Sequence, residues 1–278
     1  MRLSMMVAMV VAAGLLRHSI VAVDLGRPST PTASTITPTL TLGGFAIDGS
    51  VLDGVRAFGP PDVVETSDAG HEWHWYDARG IDRAVLVDDA LAIHEILIER
   101  PAAVNGQAAP LVQPDELPVL EKPLREAAAL LSSRRAASVM ESNPAIRAWR
   151  VAGALVVTEI AGGDVARIRA LDDGAAAQRG YVGGGGAAPA YRAPRFLHVA
   201  SVGYPERAES LHAHGVVIAR VDVDAAGRPA RVSVIVSSGN ADLDNAEVRS
   251  LQLSAFKPAL CAGQPCAGVL MDREEYVP

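Results

Sequence analysis

The sequence has few aromatic residues, only two cysteines and no basic run. Aromatic residues make up 4% of the 278 positions, so aliphatic side chains must fill most of any core. The formal net charge is −7, and no cluster of lysine and arginine could neutralise a row of phosphates. Nucleic-acid binding is therefore not expected. Because 49% of the residues are hydrophobic, the chain is not globally disordered and is long enough for more than one domain.

Motifs that indicate an enzyme, a cofactor or a metal ion are also missing. No Gly-x-Ser-x-Gly, P-loop or dinucleotide-binding fingerprint occurs. The four glycines at 183–186 have no predicted helix after them, so we interpret them as linker. His71-Glu72-x-His74 lacks the zinc-protease spacing, and His212-x-His214 falls at a predicted helix end. We expect no catalytic residue, no cofactor and no metal site.

The N-terminal apolar run is shorter than a spanning helix. Residues 5–16 follow Arg2, and Arg17-His18 interrupts the run. This length suits the h-region of a secretory signal, whereas a spanning helix needs about 20 apolar residues. Cleavage after Ala22 would release an exported protein, and the alternative is an uncleaved anchor over residues 5–23. We expect residues 1–25 to be a signal peptide or a signal anchor.

Stretches rich in proline, glycine and hydroxyl residues divide the rest of the chain. Residues 26–41 are predicted to be a Pro/Thr/Ser linker, residues 101–123 a Pro-rich connector and residues 183–195 a Gly/Pro linker. These stretches separate three predicted units, at 42–100, 124–182 and 196–278. The expected fold class is α+β, because each unit combines helix and strand patterns.

The first unit is predicted to be a helix followed by a small antiparallel sheet. The helix is predicted over residues 51–58, where Gly59-Pro60-Pro61-Asp62 ends it. Strands are predicted at 63–66, 71–77, 82–87 and 91–98. Alternation along the second strand places Trp73 and Trp75 on one face, with His74 and Tyr76 on the other.

The second unit is a candidate repeat of the first. Its helix is predicted over 124–135 and its strands at 138–141, 148–151, 154–160 and 164–170. Three residues of the first unit align with three of the second at a constant spacing: Val63 with Val139, Glu65 with Glu141, and Trp73 with Trp149. The order of a helix and then strands is similar to small envelope modules of the β-lactamase-inhibitor-like and outer-membrane-lipoprotein type.

The third unit alternates helices and strands. A helix is predicted over 206–213, ended by Gly215, and strands at 216–224 and 231–236 form a hairpin. The apolar face of the hairpin is predicted to be Val232, Val234 and Val236. A second helix begins at residue 242 and runs to 253, with Asp242 or Asn240 as its cap. The final strand is predicted over 268–277.

A spaced pattern of residues runs through this third unit. Its members are Tyr204, Pro205, Gly215, Gly227, Ser237, Ser238, Gly239, Leu243, Asp244, Phe256, Pro258, Gly263 and Pro265. Over residues 200–278, this pattern and the order helix–strand–strand–helix–strand resemble the C-terminal domain of the TonB family. The resemblance implies a two-layer domain of the periplasm that binds protein partners and performs no chemistry.

The resemblance also implies how partners bind. A terminal edge strand has unpaired N–H and C=O groups, which can pair with an extended segment of a partner. The implied partner is a periplasmic segment of an outer-membrane transporter, and Arg273 and Tyr276 would tune selectivity. The alternative is that the side chains only decorate a solvated edge. The residues concerned are Val269, Leu270, Met271, Asp272, Arg273, Glu274 and Tyr276.

Two functions are compatible with such a domain. In the first, the protein is an energy transducer, and inner-membrane motor proteins supply force through a retained N-terminal anchor. In the second, it is a soluble periplasmic adaptor or inhibitor-type binding protein that uses the docking domain without energy transduction. Exchange of strands between two C-terminal domains would also give a homodimer.

The two cysteines flank a short turn. Cys261 and Cys266 lie on either side of Ala262-Gly263-Gln264-Pro265. Cysteines across a hairpin turn can reach bonding distance, and an exported chain meets an oxidising compartment. We expect a disulfide bond that stiffens the turn locally, with two free thiols as the alternative.

Overall fold

The computed structural model describes residues 40–100 apart from 79, residues 125, 126 and 129, residues 137–139, residues 146–182 apart from 162, and residues 190–278. The predicted N-terminal signal, the three predicted linkers and the helix predicted over 124–135 lie wholly or mostly outside the described residues. Among the described residues, no helix is long and apolar enough to cross a membrane.

A short hairpin and one helix precede the central sheet. The hairpin pairs β1 (Thr41–Leu42) with β2 (Phe45–Ala46). Helix α1 (Val51–Phe58) begins after Ser50, whose side chain accepts a hydrogen bond from the N–H of Leu52. It ends at Gly59, which has a φ of 83°. The bounds of α1 confirm the helix predicted from the sequence.

The central sheet has eight antiparallel strands in the order β3-β4-β5-β6-β10-β9-β8-β7. Two four-stranded meanders, β3 to β6 and β7 to β10, meet edge to edge where β6 pairs with β10. The predicted units at 42–100 and 124–182 therefore share one sheet, and the domain boundaries themselves stay predictions. The strands are β3 (Val63–Ser67), β4 (Gly70–Tyr76), β5 (Asp82–Val87), β6 (Ile93–Glu99), β7 (Ala137–Val139), β8 (Ile146–Val151), β9 (Ala154–Ala161) and β10 (Asp164–Leu171).

Alternation along the strands decides which side chains enter the main core. Trp73 and Trp75 of β4 are buried and Tyr76 is exposed, which agrees with the predicted division between the two faces of the strand. The core cluster around the two tryptophans takes aliphatic side chains from both meanders. Helix α2 (Asp173–Gln178) was not predicted; its alanines pack with Leu155 and Leu171 in a second cluster.

The C-terminal region is built around a three-stranded sheet in the order β14-β13-β18. Short strands form two further small sheets, β11-β16-β17 and β12-β15. The described residues are therefore a mixed fold with more sheet than helix, in agreement with the α+β class. The elements are β11 (Tyr191–Arg192), β12 (Arg195–His198), α3 (Glu206–Ser210), β13 (Gly215–Val223), β14 (Pro229–Val236), α4 (Ala241–Leu253), β15 (Ala255–Lys257), β16 (Ala259–Cys261), β17 (Gln264–Cys266) and β18 (Gly268–Tyr276).

The prediction that Gly215 ends a helix is wrong. Helix α3 stops at Ser210, and His212, with a φ of 50°, takes the left-handed conformation after it. Gly215 is the first residue of β13 and has a φ of 150°. A Cβ at Gly215 would lie 2.6 Å from the carbonyl oxygen of Ser238. The glycine therefore allows close approach of a neighbouring backbone, which local sequence does not reveal.

The prediction that three valines of β14 share one apolar face is wrong for Val236. Val232 and Val234 pack in the clusters that contain α4 residues, whereas Val236 packs against the main core. Ile218 pairs with Val236 while Ala219 pairs with Val234, so β14 carries one extra residue at this point. This β-bulge reverses the alternation of side chains along the strand.

Two local predictions in this region are confirmed. Of the two predicted candidates, Asn240 caps α4, because its side chain accepts hydrogen bonds from the N–H groups of Asp242 and Leu243. Cys261 and Cys266 form a disulfide bond across the β16–β17 turn, with their Cα atoms 5.8 Å apart.

Candidate partner-binding edge

Strand β18 lies at one edge of its sheet. It pairs with β13 along its whole length, from Gly268 opposite Val223 to Tyr276 opposite Gly215. The N–H of Met271 points away from β13, towards the hydroxyl oxygen of Thr66. Because backbone groups alternate in an antiparallel ladder, the N–H groups of Arg273 and Glu275 also point outward. This is the edge that was predicted from the sequence to bind a partner.

The two halves of this edge differ in exposure. Val269, Leu270 and Met271 are only 7%, 4% and 3% exposed, whereas Glu274 and Glu275 are exposed. Leu270 packs in the core of its own domain, whereas the edge itself is covered at Met271 and open at Glu274 and Glu275. Sequence reasoning omitted Glu275, although the alternation of the predicted strand puts it in register with Met271 and Arg273.

The central sheet covers the first half. Thr66 of β3 accepts a hydrogen bond from the N–H of Met271 at 2.9 Å. The guanidinium of Arg273 donates to the carbonyl oxygen of Pro61 at 2.8 Å. Arg273 also pairs with Glu275 at 3.0 Å, so its side chain is already engaged within the chain.

The same contact continues behind the edge through β13. Ile218 is fully buried in the core cluster of the central sheet, and Val216 packs against that cluster. Arg220 donates to the carbonyl oxygen of Asp89, in the turn between β5 and β6. One face of the C-terminal sheet is thus packed on the central sheet, and α4 packs on the other.

A chain of hydrogen bonds holds Thr66 in place. The Thr66 hydroxyl lies 3.0 Å from Nδ1 of His71, and Nε2 of His71 lies 3.0 Å from Asp89 Oδ1. Since the Asp89 carboxylate can only accept, Nε2–H donates to it, and in the tautomer with its only ring proton on Nε2 the Nδ1 atom accepts from the Thr66 hydroxyl. An oxygen lone pair of Thr66 is left to face the N–H of Met271.

These three residues also bear on the question of catalysis. Sequence reasoning found no nucleophile–base pair, yet the structure brings a threonine, a histidine and an aspartate together. His71 is only 1% exposed, and the Thr66 oxygen is occupied by a backbone amide of the same chain. The groups therefore connect β3, β4 and the β5–β6 turn to β18.

Beneath the second half of the edge, α4 and β18 bring carboxyl groups together. Glu247 is 3% exposed and accepts a hydrogen bond from the Tyr276 hydroxyl at 3.3 Å. Burial, a hydrogen bond and charge from Asp272, and the charge of Glu274 raise the pKa of Glu247 to about 8. Burial likewise raises the pKa of Asp272 and of Glu274. Glu247 is therefore largely protonated at neutral pH.

A groove of about 420 Å³ lies beside this carboxyl group. Residues 199–204 form one side of it, and its lining includes Glu247, Asp272 and residues 274–277. The ring of Tyr204 packs edge-on against that of Tyr276, with centroids 5.8 Å apart. Tyr276 is buried, so its side chain supports β18 from within the domain.

The spaced motif residues mainly form turns, caps and cores. Asp244 accepts hydrogen bonds from the hydroxyl groups of Ser237 and Ser238 at 2.5 and 2.8 Å, which ties the end of β14 to α4. Leu243 and Phe256 are buried in the domain core. The remaining positions are structural in the same way: Pro205 precedes α3, Gly227, Gly239 and Gly263 have positive φ, Pro258 lies beside Gly227, and Pro265 lies in β17.

Nothing in the described part of the chain forms a group of three or more His, Cys, Asp or Glu side chains that could hold a metal ion. The histidines singled out in the sequence have other contacts. His74 pairs with Asp82 at 2.9 Å, which is the first cause of its raised pKa. His212 and His214 lie in the loop between α3 and β13, where each contacts a nearby backbone carbonyl.

Residues 200–270 match the family model described as the Gram-negative bacterial TonB protein C-terminal. The chain carries a TonB C-terminal domain, as the sequence resemblance predicted. No curated protein matches the sequence.

The chain is weakly similar to two solved structures. One is an extracellular protein containing a SCP domain from Bacillus anthracis str. Ames, at 10% identity, 47% coverage of this chain, 45% coverage of that chain and a TM-score of 0.33. The other is a cysteine-rich secretory protein from Staphylococcus aureus subsp. aureus Mu50, at 10% identity, 47% and 46% coverage and a TM-score of 0.31. The chain spans less than half the length of either protein.

Proposed function

We propose that this protein is a TonB-family envelope protein that binds periplasmic segments of outer-membrane transporters by strand addition to β18. The observation that carries the proposal is the position of β18. It is the last strand of the C-terminal sheet, begins within the matched residues 200–270, and lies at the edge of its sheet, with outward N–H groups at Arg273 and Glu275. An extended partner segment would pair with this edge through main-chain hydrogen bonds.

The open half of β18 would receive the partner first. Glu274 and Glu275 are exposed, and the groove beside them is lined by carboxyl groups. Backbone pairing there would supply affinity, and the groove would select among partner side chains. The role is binding without catalysis, and robust turnover in a broad hydrolase screen would contradict it.

A second function, a periplasmic adaptor without energy transduction, is favoured by one observation. The central sheet and the C-terminal sheet share a core at Ile218, so the binding domain is packed on its neighbour. Energy transduction would instead require residues 1–25 to be retained as an inner-membrane anchor. Intact mass and membrane fractionation of the native protein distinguish the two: a full-length, membrane-bound chain supports transduction, and a soluble chain lacking about 22 residues supports the adaptor.

The substitution Glu275→Pro is expected to weaken partner binding roughly tenfold or more, because proline removes an outward N–H donor. The fold should survive, since this N–H does not pair with β13. The measurement is titration of the full chain with synthetic peptides that tile the N-terminal periplasmic segments of outer-membrane transporters. Glu275→Ala is the matched control, because it removes the same side chain and keeps the N–H. Equal affinity of Glu275→Pro and Glu275→Ala would contradict pairing at this site.

A further inference from the structure

We propose that the central sheet blocks the partner-binding edge of the same chain, through a cap formed by Asp89, His71 and Thr66. Strand β3 then lies where an added strand would start to pair at Met271. Partner binding along the first half of β18 and contact with the central sheet exclude each other. This inference rests on the proposed function and concerns the regulation of that same site.

The geometry at Met271 supports competition. A partner strand would accept the N–H of Met271 with a backbone carbonyl oxygen. In the structure, the Thr66 hydroxyl oxygen accepts that N–H at 2.9 Å. Two acceptors cannot occupy the same position beside one N–H. The partner must therefore displace Thr66 before it can pair beyond Arg273.

The cap is oriented by residues that lie away from β18. His71 comes from β4 and Asp89 from the β5–β6 turn, and each contributes one hydrogen bond of 3.0 Å to the chain that ends at Thr66. The turn is itself tied to the C-terminal domain, because Arg220 donates to the Asp89 carbonyl oxygen. His71 and Asp89 are positioning residues, and Thr66 makes the contact.

Blocking leaves a defined part of the edge available. With the cap in place, only the segment around Glu274 and Glu275 is exposed. When the cap is released, the outward N–H groups of Met271, Arg273 and Glu275 become available together. If the released state is the minor one, its low population weakens the apparent affinity of a partner in proportion.

The test compares Thr66→Val and Asp89→Ala with Asp82→Ala in the full chain. Thr66→Val removes the acceptor while keeping a β-branched side chain. Asp89→Ala removes the carboxylate that orients His71, and this carboxylate is largely exposed. Asp82→Ala is the matched control, since it removes the carboxylate partner of His74, the other histidine of β4, whose ring nitrogens lie beside Asp82 and Glu72.

Two measurements distinguish the blocking contact at Met271 from the proposed binding of partners. Hydrogen exchange at the Met271 amide reports the cap without any ligand, and the Val221 amide in the centre of β13 reports whether the fold is intact. The same transporter-derived peptides report affinity. We expect Thr66→Val to speed exchange at Met271 at least tenfold and to strengthen peptide binding roughly fivefold, which is about the effect of one hydrogen bond. Asp89→Ala should shift the exchange rate at Met271 and the peptide affinity in the same direction by less. Asp82→Ala should shift neither quantity.

Each other outcome counts against a specific claim. Unchanged exchange at Met271 in both Thr66→Val and Asp89→Ala would show that the cap does not protect the edge. Faster exchange with unchanged peptide affinity would overturn the blocking and leave the proposed function standing. Absence of peptide binding by every protein would overturn the proposed function, and the blocking with it. If Thr66→Val fails to fold, Asp89→Ala decides by the same two readouts.

Discussion

Replacing Glu247 by glutamine is expected to make the protein more stable at pH 8 by on the order of 3 kcal/mol, with little change at pH 5. The carboxyl group is buried against Asp272, and its pKa is raised from 4.5 to about 8. Between these two values the folded state binds more protons than the unfolded state. The free energy of unfolding therefore falls as pH rises from about 4.5 to about 8. Glutamine stays neutral and can still accept from Tyr276.

The measurement is urea unfolding of the wild type and of Glu247→Gln at several pH values from 5 to 8. The wild type should lose stability across this range, and the variant should lose much less. Glu275→Gln is the control, because it neutralises an exposed carboxylate of β18, the strand that carries Asp272 and Tyr276 beside Glu247, and should leave the pH dependence unchanged. A wild-type stability that is flat from pH 5 to pH 8 would contradict the burial of a protonated Glu247.

Replacing Gly227 by alanine is expected to cost about 3 kcal/mol or more, whereas the same change at Gly263 should cost about 1 kcal/mol. Both are motif glycines with nearly the same φ, 79° and 83°. A left-handed backbone therefore penalises alanine equally at the two sites. The difference is steric: a Cβ at Gly227 would lie 2.2 Å from the carbonyl oxygen of Phe256, whereas a Cβ at Gly263 would meet nothing within 4 Å.

Urea unfolding of the two alanine variants at one and the same pH measures this difference, because Glu247 then contributes equally to both. The comparison distinguishes the effect of backbone conformation from that of steric crowding of the added Cβ, because only the crowding differs between the two sites. Equal losses of stability in the two variants would mean that Phe256 does not press against the turn at Gly227, and so would contradict the packing of β15 on the β13–β14 hairpin.

Local chemistry made part of this fold predictable. Alternation assigned Trp73 and Trp75 to one face, Asn240 was one of two candidate helix caps, and the spacing of Cys261 and Cys266 across a turn indicated their bond. Each of these features depends on residues within one or two elements. The resemblance carried by the spaced motif located the domain, although most of the motif residues turned out to build turns and cores.

Long-range contacts were not predictable in the same way. The pairing of β6 with β10 joins two predicted units, and Met271 meets Thr66 205 positions earlier in the chain. No periodicity specifies such a partner. Glu247 did leave a signal: its spacing of four from both Leu243 and Leu251 puts it on the buried face of α4. The predicted site residues omitted Glu247, although a carboxyl group at that position indicates a buried titratable site.

The most direct test of binding at β18 is residue-resolved hydrogen exchange of the full chain with and without a bound transporter peptide. Strand addition predicts that the amides of Arg273 and Glu275 gain protection on binding, because their N–H groups point outward. The amides of Asp272 and Glu274 should change little, because they already pair with β13. Protection that appears only on β14, or on no strand of the C-terminal sheet, would contradict β18 as the binding edge.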